Sequence, residues 1–227
     1  MADHPDGAIP QRDGKTYAVM ARSPAGLVTP ELLEKIASIG RRYRVPVVKI
    51  TSGQRIALIG IDRTDVAAVL DELGPDAVRK TGPCIRFVQS CPGIRNCKNG
   101  TQDSLGLALA LEERYREKPF PGKIKIGISG CPRCCGESHT RDIGIMGTPN
   151  GWTLLFGGNN GTRPRFGDIL AKNLSTADVQ DLVSRLLDYY QLNARSKERS
   201  ARFMERITFE TIQHDLLDLV PYIPLEH

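Results

Sequence analysis

Two cysteine pairs set among glycine and proline constrain this chain more than any other feature. Cys91 and Cys97 stand as C-x5-C in residues 90–97 (SCPGIRNC), and Cys131 and Cys135 as C-x3-C in residues 130–135 (GCPRCC). About thirty residues separate the pairs, so if all four thiols serve one group, two separate loops must reach the same place. Thiolates are soft ligands, suited to iron–sulfur clusters, zinc or Cu(I). Zinc sites favour pairs separated by two to four residues. C-x5-C lies outside that habit, whereas the second pair, and Cys131-x2-Cys134 within it, lies inside. The ferredoxin run C-x2-C-x2-C-x3-C is absent. On spacing alone, an iron–sulfur cluster, a zinc site and cysteines that ligate nothing all remain open.

The 227 residues, 40% of them hydrophobic, suffice for one large core or two small ones. No apolar run approaches the ~20 residues of a membrane span. The opening residues MADHPDGAIPQRDGK lack the apolar core of a signal peptide. A cytoplasmic protein with reduced thiols and no membrane partner is therefore expected. In that compartment clustered cysteines point to metal or redox chemistry more than to disulfides. The net charge is +5, yet residues 79–141 hold twelve Lys/Arg against five Asp/Glu. The positive excess thus coincides with the cysteines. The plain reading of a charge cluster is a solvated face. Nucleic acid is not expected, because no helix-turn-helix, RRM or KH signature appears and only 6% of residues are aromatic. A small anion or an anionic cofactor fits better.

Periodicity predicts a regular order of elements after a polar tail of about a dozen residues. Residues 16–21 (TYAVMA) read as a strand. Thr29-Pro30 opens a helix, threonine as cap and proline in the first turn, with Leu32, Leu33, Ile36 and Ala37 at helical spacing. Residues 45–51 and 55–61 read as strands joined by a tight Ser52-Gly53 turn. A second helix spans 64–73 and stops at Gly74, and a strand follows at 84–89. This β-α-β-β-α-β order is that of a ferredoxin-like unit. Further on, 105–117 reads as a helix and 123–129 (KIKIGIS) as a strand running into Gly130. Residues 142–146 and 152–156 form a strand pair around Pro149-Asn150-Gly151, and GGNNG at 157–161 is a sharp loop. Ser175-x-x-Asp178 is a capping-box pattern opening a helix through Tyr190, and a last helix covers 196–214. Cys84, on an apolar strand, reads as a packed core thiol.

Residues 90–100 (SCPGIRNCKNG) and 123–136 (KIKIGISGCPRCCG), followed by Asp142-Ile143-Gly144, resemble the sirohaem-binding nitrite and sulfite reductase family. Residues 48–61 (VKITSGQRIALIGI) resemble that family's ferredoxin-like half-domain, and the short chain is most similar to its small, single-repeat assimilatory-type sulfite reductases. The resemblance implies an α+β fold, with a ferredoxin-like half-domain over 14–80 and a sirohaem and [4Fe–4S] binding α/β domain over 81–215. It implies that Cys91, Cys97, Cys131 and Cys135 ligate the cluster, the last also bridging to the sirohaem iron. Cys134 is left without a role.

The same resemblance implies an enzyme that reduces sulfite to sulfide, or in the alternative nitrite to ammonia. Its electrons would come from an external low-potential donor such as ferredoxin, since no G-x-G-x-x-G dinucleotide fingerprint precedes a helix. A non-catalytic iron–sulfur carrier or zinc module is the alternative of another class, but it leaves the basic residues idle. Lys123 and Lys125, two apart on a strand, emerge on one face. By resemblance they and Arg86 act on substrate, with Arg55 beside them. In longer family members arginine directly precedes the glutamine of the 52–55 turn, where this chain has Gly53. Lys49, Arg79, Lys80, Asn159, Asn160, Arg163 and Arg165 are the expected contacts of the haem and its carboxylates.

Overall fold

A computed structural model describes residues 7–78 and 82–217. The chain divides into two units between Gly82 and Pro83. The first is a four-stranded antiparallel sheet in the order β1-β2-β4-β3, from β1 (Ala8–Pro10), β2 (Thr16–Ala21), β3 (Val47–Ile50) and β4 (Ile56–Asp62). Helices α1 (Pro30–Arg42) and α2 (Val66–Leu73) pack on it. Thr29 Oγ1 accepts the Leu32 N–H at 3.2 Å, which caps α1 as its sequence foretells. Ile36 and Ile39 of α1 and Val69 and Leu73 of α2 bury against Val19, Leu58 and Ile61. Gly74 ends α2 at a φ of 60°, a conformation that favours glycine.

The tight turn read at Ser52-Gly53 is present: the Gln54 N–H donates to the Thr51 carbonyl (3.0 Å) and the Thr51 N–H to the Arg55 carbonyl (2.8 Å), with Gln54 in the left-handed region (φ 57°). Two expectations are corrected here. Part of the supposed polar tail is strand β1, paired along β2 with Ala8 opposite Val19. The strand after α2 does not close the first sheet. Among the described residues a single bridge, Ala21 to Ala77, occupies that place, and β5 (Ile85–Ser90) opens the second sheet.

The second unit is built on a five-stranded sheet in chain order: β5, β6 (Ile124–Ser129), β7 (Ile143–Thr148), β8 (Gly151–Phe156) and β9 (Asp168–Leu174). β5, β6 and β7 run parallel, and β7, β8 and β9 antiparallel. α3 (Ser104–Tyr115) crosses from β5 to β6, as a parallel pair requires. One face is apolar: Ile126, Ile128, Ile143, Ile145, Leu154 and Phe156 are fully buried, or nearly so. α4 (Thr176–Asn193) carries both halves of the Ser175/Asp178 capping box. It brings Tyr190 to Phe156 and Phe203, with ring centroids 6.2 and 5.2 Å apart. The last predicted helix is two, α5 (Ser200–Ile207) and α6 (Phe209–Leu217), because Thr208 adopts a positive φ of 71° that no helix accommodates. Strand β9 escaped the sequence reading; it is an edge strand with polar alternation too weak to flag. Among the described residues no helix is long and apolar enough to cross a membrane.

Candidate active site

Both cysteine pairs leave the same end of the second sheet. Cys91 directly follows β5, and Cys131 follows β6 by one residue beyond Gly130. These strands are parallel neighbours with Ser90 opposite Ile128, so their carboxyl ends emerge side by side. Backbone bonds then lock the two loops. The Cys91 N–H donates to the Ile128 carbonyl (3.2 Å), and the N–H groups of Thr101 and Gln102 donate to the Gly130 carbonyl (2.8 and 3.1 Å). A Cβ on Gly130 would lie 2.8 Å from the Gln102 carbonyl oxygen and 2.9 Å from Gly93 Cα. The glycines beside the cysteines therefore admit the contact between loops. Cys97 is placed by its own N–H donating to the Gly93 carbonyl at 2.9 Å.

Cys131 is buried, Cys91 and Cys97 half-buried, and Cys135 exposed. Cys134 turns the second loop in the left-handed region (φ 58°). Cys84 is buried away from these loops' ends, its carbonyl accepting the Ile124 N–H. Among the described residues no three His, Cys, Asp or Glu are gathered closely enough to hold one metal ion. A tetrahedral zinc with Zn–S bonds of about 2.3 Å would draw its thiolates to within about 4 Å of one another. A four-iron cluster spans several bonds and separates its ligands further. Four thiols from two loops, with a backbone N–H already aimed at one sulfur (Gly130 N–H to Cys91 Sγ, 3.1 Å), fit such a cluster.

The loop bearing Cys135 folds back onto the face of the sheet opposite the apolar one. Gly127 of β6 and Gly144 of β7 are paired there. A Cβ on Gly127 would lie 2.4 Å from the Gly136 carbonyl oxygen, and one on Gly144 1.8 Å from that of Ser138. Two adjacent glycines thus leave the bed in which residues 136–138 lie. Lys125, two residues before Gly127, shares this face, and its ammonium sits 6.0 Å from the Phe87 ring centre. The Arg141 guanidinium lies 5.3 Å from the same ring centre and donates to Gln89 (2.7 Å) and Glu137 (2.5 Å).

Asp142, 1% exposed, accepts from the Arg199 guanidinium (2.7 Å), the Ser200 hydroxyl (2.5 Å) and the Lys125 backbone N–H (2.9 Å). Its charge is therefore engaged by Arg199, and the Lys125 side chain is left facing cations. Burial first, then Arg199, with Arg141 and Lys123 adding, pull the Lys125 ammonium below its ordinary pKa, and Asp142 only partly opposes them. Lys123 is exposed just ahead of β6, near enough to Lys125 to be felt. Arg86 is half-buried on β5, at the register shift between Ile85 and Phe87.

Other predicted positions are dispersed. Asn159 and Arg165 pair through their backbones (3.0 Å each way), and the Asn159 amide closes on the Arg163 carbonyl at 2.7 Å. Arg165 is tied to the Gly157 carbonyl (2.9 Å) and Asp168 (2.7 Å). Asn160 is exposed, and Arg163 is exposed with Glu205 at 3.6 Å. Lys49, exposed on β3, and Arg55, half-buried at the start of β4, share the hairpin of the first unit. Arg79 and Lys80 lie outside the described residues. Arg141, Asp142, Arg199 and Ser104 were not singled out from sequence. Asp142 stood in a quoted motif, but nothing local signals that Arg199, 57 residues on, is its partner.

Comparison with known proteins accords with this geometry. Residues 81–219 match the family model described as the nitrite and sulphite reductase 4Fe-4S domain, and residues 9–75 that of the nitrite/sulfite reductase ferredoxin-like half domain. The chain is 46% identical over 217 residues to an assimilatory-type sulfite reductase of Nitratidesulfovibrio vulgaris, covering 96% of this chain and 100% of that one. It is 38% identical to a nitrite reductase [NAD(P)H] of Bacillus subtilis, over 92% of this chain but only 26% of that longer protein. Among solved structures, dissimilatory sulfite reductase I superposes with a TM-score of 0.82 at 15% identity, over 100% of this chain and 78% of that one, a likeness of fold. With both halves of the chain matched, the protein belongs to the nitrite and sulfite reductase family of oxidoreductases.

Proposed function

We propose that the protein reduces sulfite to sulfide at a sirohaem coupled to a [4Fe–4S] cluster, with Cys91, Cys97, Cys131 and Cys135 holding the cluster and Cys135 shared between the two groups. The observation that carries this reading is the position of Cys135: it is the exposed thiol of the four, on the loop that lies along the face bearing Lys125. When held by these cysteines, the coupled group would supply the electrons, six in all for sulfite.

The chain's own residues do the rest. Lys123, Lys125 and Arg86 draw in a small oxyanion, and their fixed positive charge stabilises charge on each departing oxygen. Each oxygen leaves as water, which requires protons. Lys125, with its pKa lowered by burial and neighbouring cations, releases a proton more readily than an ordinary lysine. Lys49 and Arg55 are assigned to substrate or to a haem carboxylate, and exposed Asn160 and Arg163 to the haem rim. Asn159 and Arg165, expected as haem contacts, are assigned instead to shaping the loop that carries Asn160 and Arg163. Electrons are supplied by an external low-potential carrier of the ferredoxin class.

The test is the absorption spectrum, iron and sulfide content of protein produced with a sirohaem supply, followed by turnover of sulfite and nitrite under a reduced dye. A haem chromophore, about five irons per chain (four in the cluster and one in the haem) and faster sulfite turnover are expected. A colourless zinc protein refutes the reading, and a clear preference for nitrite moves it to the nitrite branch that several relatives occupy. In a Lys123→Ala/Lys125→Ala variant, sulfite turnover is expected to fall ~10²–10⁴-fold with cluster content unchanged, the range usual for loss of positioned acid catalysis. Wild-type turnover in that variant removes both lysines from the mechanism.

A further inference from the structure

Cys91 differs from an ordinary loop cysteine in the donors already assembled around its sulfur. The Gly130 N–H donates to it at 3.1 Å, and the Ser104 hydroxyl lies 3.3 Å from it and 2.9 Å from the Cys91 carbonyl oxygen. Ser104 is fully buried and is the first residue of α3, whose N-terminus is capped by the Asp103 carboxylate accepting the Gly106 N–H at 3.0 Å. The packing leaves no slack. A Cβ on Gly93 would come 2.6 Å from Ser104 Oγ, and one on Gly130 3.1 Å from it. Glycines on both cysteine loops are therefore what allow hydroxyl and sulfur to meet.

Ser104 has one proton and two acceptors in reach. When Cys91 is a thiol, its S–H can donate to Ser104 while Ser104 donates to the carbonyl. When Cys91 is a metal-bound thiolate, that S–H is gone and the sulfur carries negative charge, so it becomes the stronger acceptor. An electron added to the cluster makes the sulfur more negative still, and the hydrogen bond then stabilises the reduced form more than the oxidised one. Hydrogen bonds to the sulfurs are among the terms that set the potential of such clusters.

We propose that Ser104 is a positioning residue for electron storage: its hydroxyl, together with the Gly130 N–H, hydrogen-bonds the Cys91 thiolate and raises the reduction potential of the cluster. The inference rests on the reading of Cys91 as a cluster ligand. Its test is the midpoint potential of the cluster in loaded wild-type and Ser104→Ala protein, followed by EPR at fixed pH. The reduced-to-oxidised ratio at the wild-type midpoint is expected to fall about threefold in the variant, which at 59 mV per decade is a shift of ~28 mV to more negative potential. An unmoved potential in a fully loaded variant overturns the proposal.

A second measurement needs no variant. Transfer of the wild-type protein into D2O should shift the Fe–S(Cys) stretching bands in resonance Raman spectra, because the Ser104 hydroxyl and the Gly130 N–H would donate exchangeable protons in hydrogen bonds to the Cys91 sulfur. Unshifted bands overturn the proposal even if Ser104→Ala fails to assemble. A wild-type protein with no cluster at all overturns both this inference and its parent reading, whereas a cluster with an unmoved potential overturns this one alone.

Discussion

Cys135→Ser is expected to abolish sulfite turnover while leaving most of the fold and part of the cluster in place. Cys135 is exposed, so its replacement opens no cavity in the core and removes no buried contact. Its thiolate is the soft ligand assigned to both iron centres, and a serine oxygen is a hard, poorly matched substitute. Cys91, Cys97 and Cys131 remain on loops locked to each other through the Gly130 and Ile128 carbonyls, so a cluster retains three of its anchors. The variant should show separate, magnetically uncoupled haem and cluster signals by EPR, and turnover at background. Normal coupling in Cys135→Ser would refute the assignment. Its neighbour Cys134, half-buried and held in the left-handed region, would then be the next thiol to replace.

Gly144→Ala is expected to be the most damaging single methyl in the second unit. Its Cβ would lie 1.8 Å from the Ser138 carbonyl oxygen and 2.7 Å from the carbonyl carbon, and both are backbone atoms with little freedom to retreat. Ser138 is fixed by its hydroxyl on the Ile145 carbonyl (2.9 Å) and on Ser129 Oγ (2.8 Å), and Ser129 Oγ in turn accepts the Gly136 N–H (2.9 Å). Either β7 bends or the loop between Cys135 and Arg141 lifts off the sheet. Overpacking of this kind costs about 3 kcal/mol, which for a chain of this size lowers Tm by about 6–12 °C. Because the loop carries Cys135, iron content should fall with it. Gly40→Ala is the matching control. In α1 the added Cβ would meet only Val48 Cγ2 at 3.9 Å, and helix propensity favours alanine by about 0.8–1 kcal/mol. Equal effects of the two substitutions on Tm and iron content would show that the glycine bed is not what seats the cysteine loop.

Much of this molecule was legible along the chain because the information is local. The Thr29-Pro30 start of α1, the stop of α2 at Gly74 and the Ser175/Asp178 box each depend on residues within one turn of each other, and each is present. Strands β2, β4, β6 and β8 announced themselves by apolar runs of the right length. The two cysteine pairs and the glycines around them marked the loops. The misplaced features share a different character. β1 is three residues long and exists only because β2 offers it a partner. The assignment of β5 to the second sheet depends on which neighbour, β2 or β6, its backbone bonds, and period and propensity are the same in either sheet. The break at Thr208 has no glycine or proline to announce it.

For the site the division follows the same line. The sequence by itself determined the donor chemistry: four thiols in two spaced pairs, a lysine pair on one strand face, and an excess of cations around them. Tertiary structure decided which of these groups face each other and in what electrical state. It set β5 beside β6 so that two loops thirty residues apart interlock, and it opened a bed at Gly127 and Gly144 for the loop of Cys135. It engaged the charge of Asp142 with Arg199, so that Lys125 faces cations, and it brought the Ser104 hydroxyl to the Cys91 sulfur. Ligand type is a property of a residue, whereas burial, hydrogen bonding and the field of neighbouring charges arise only when distant parts of the chain are packed together.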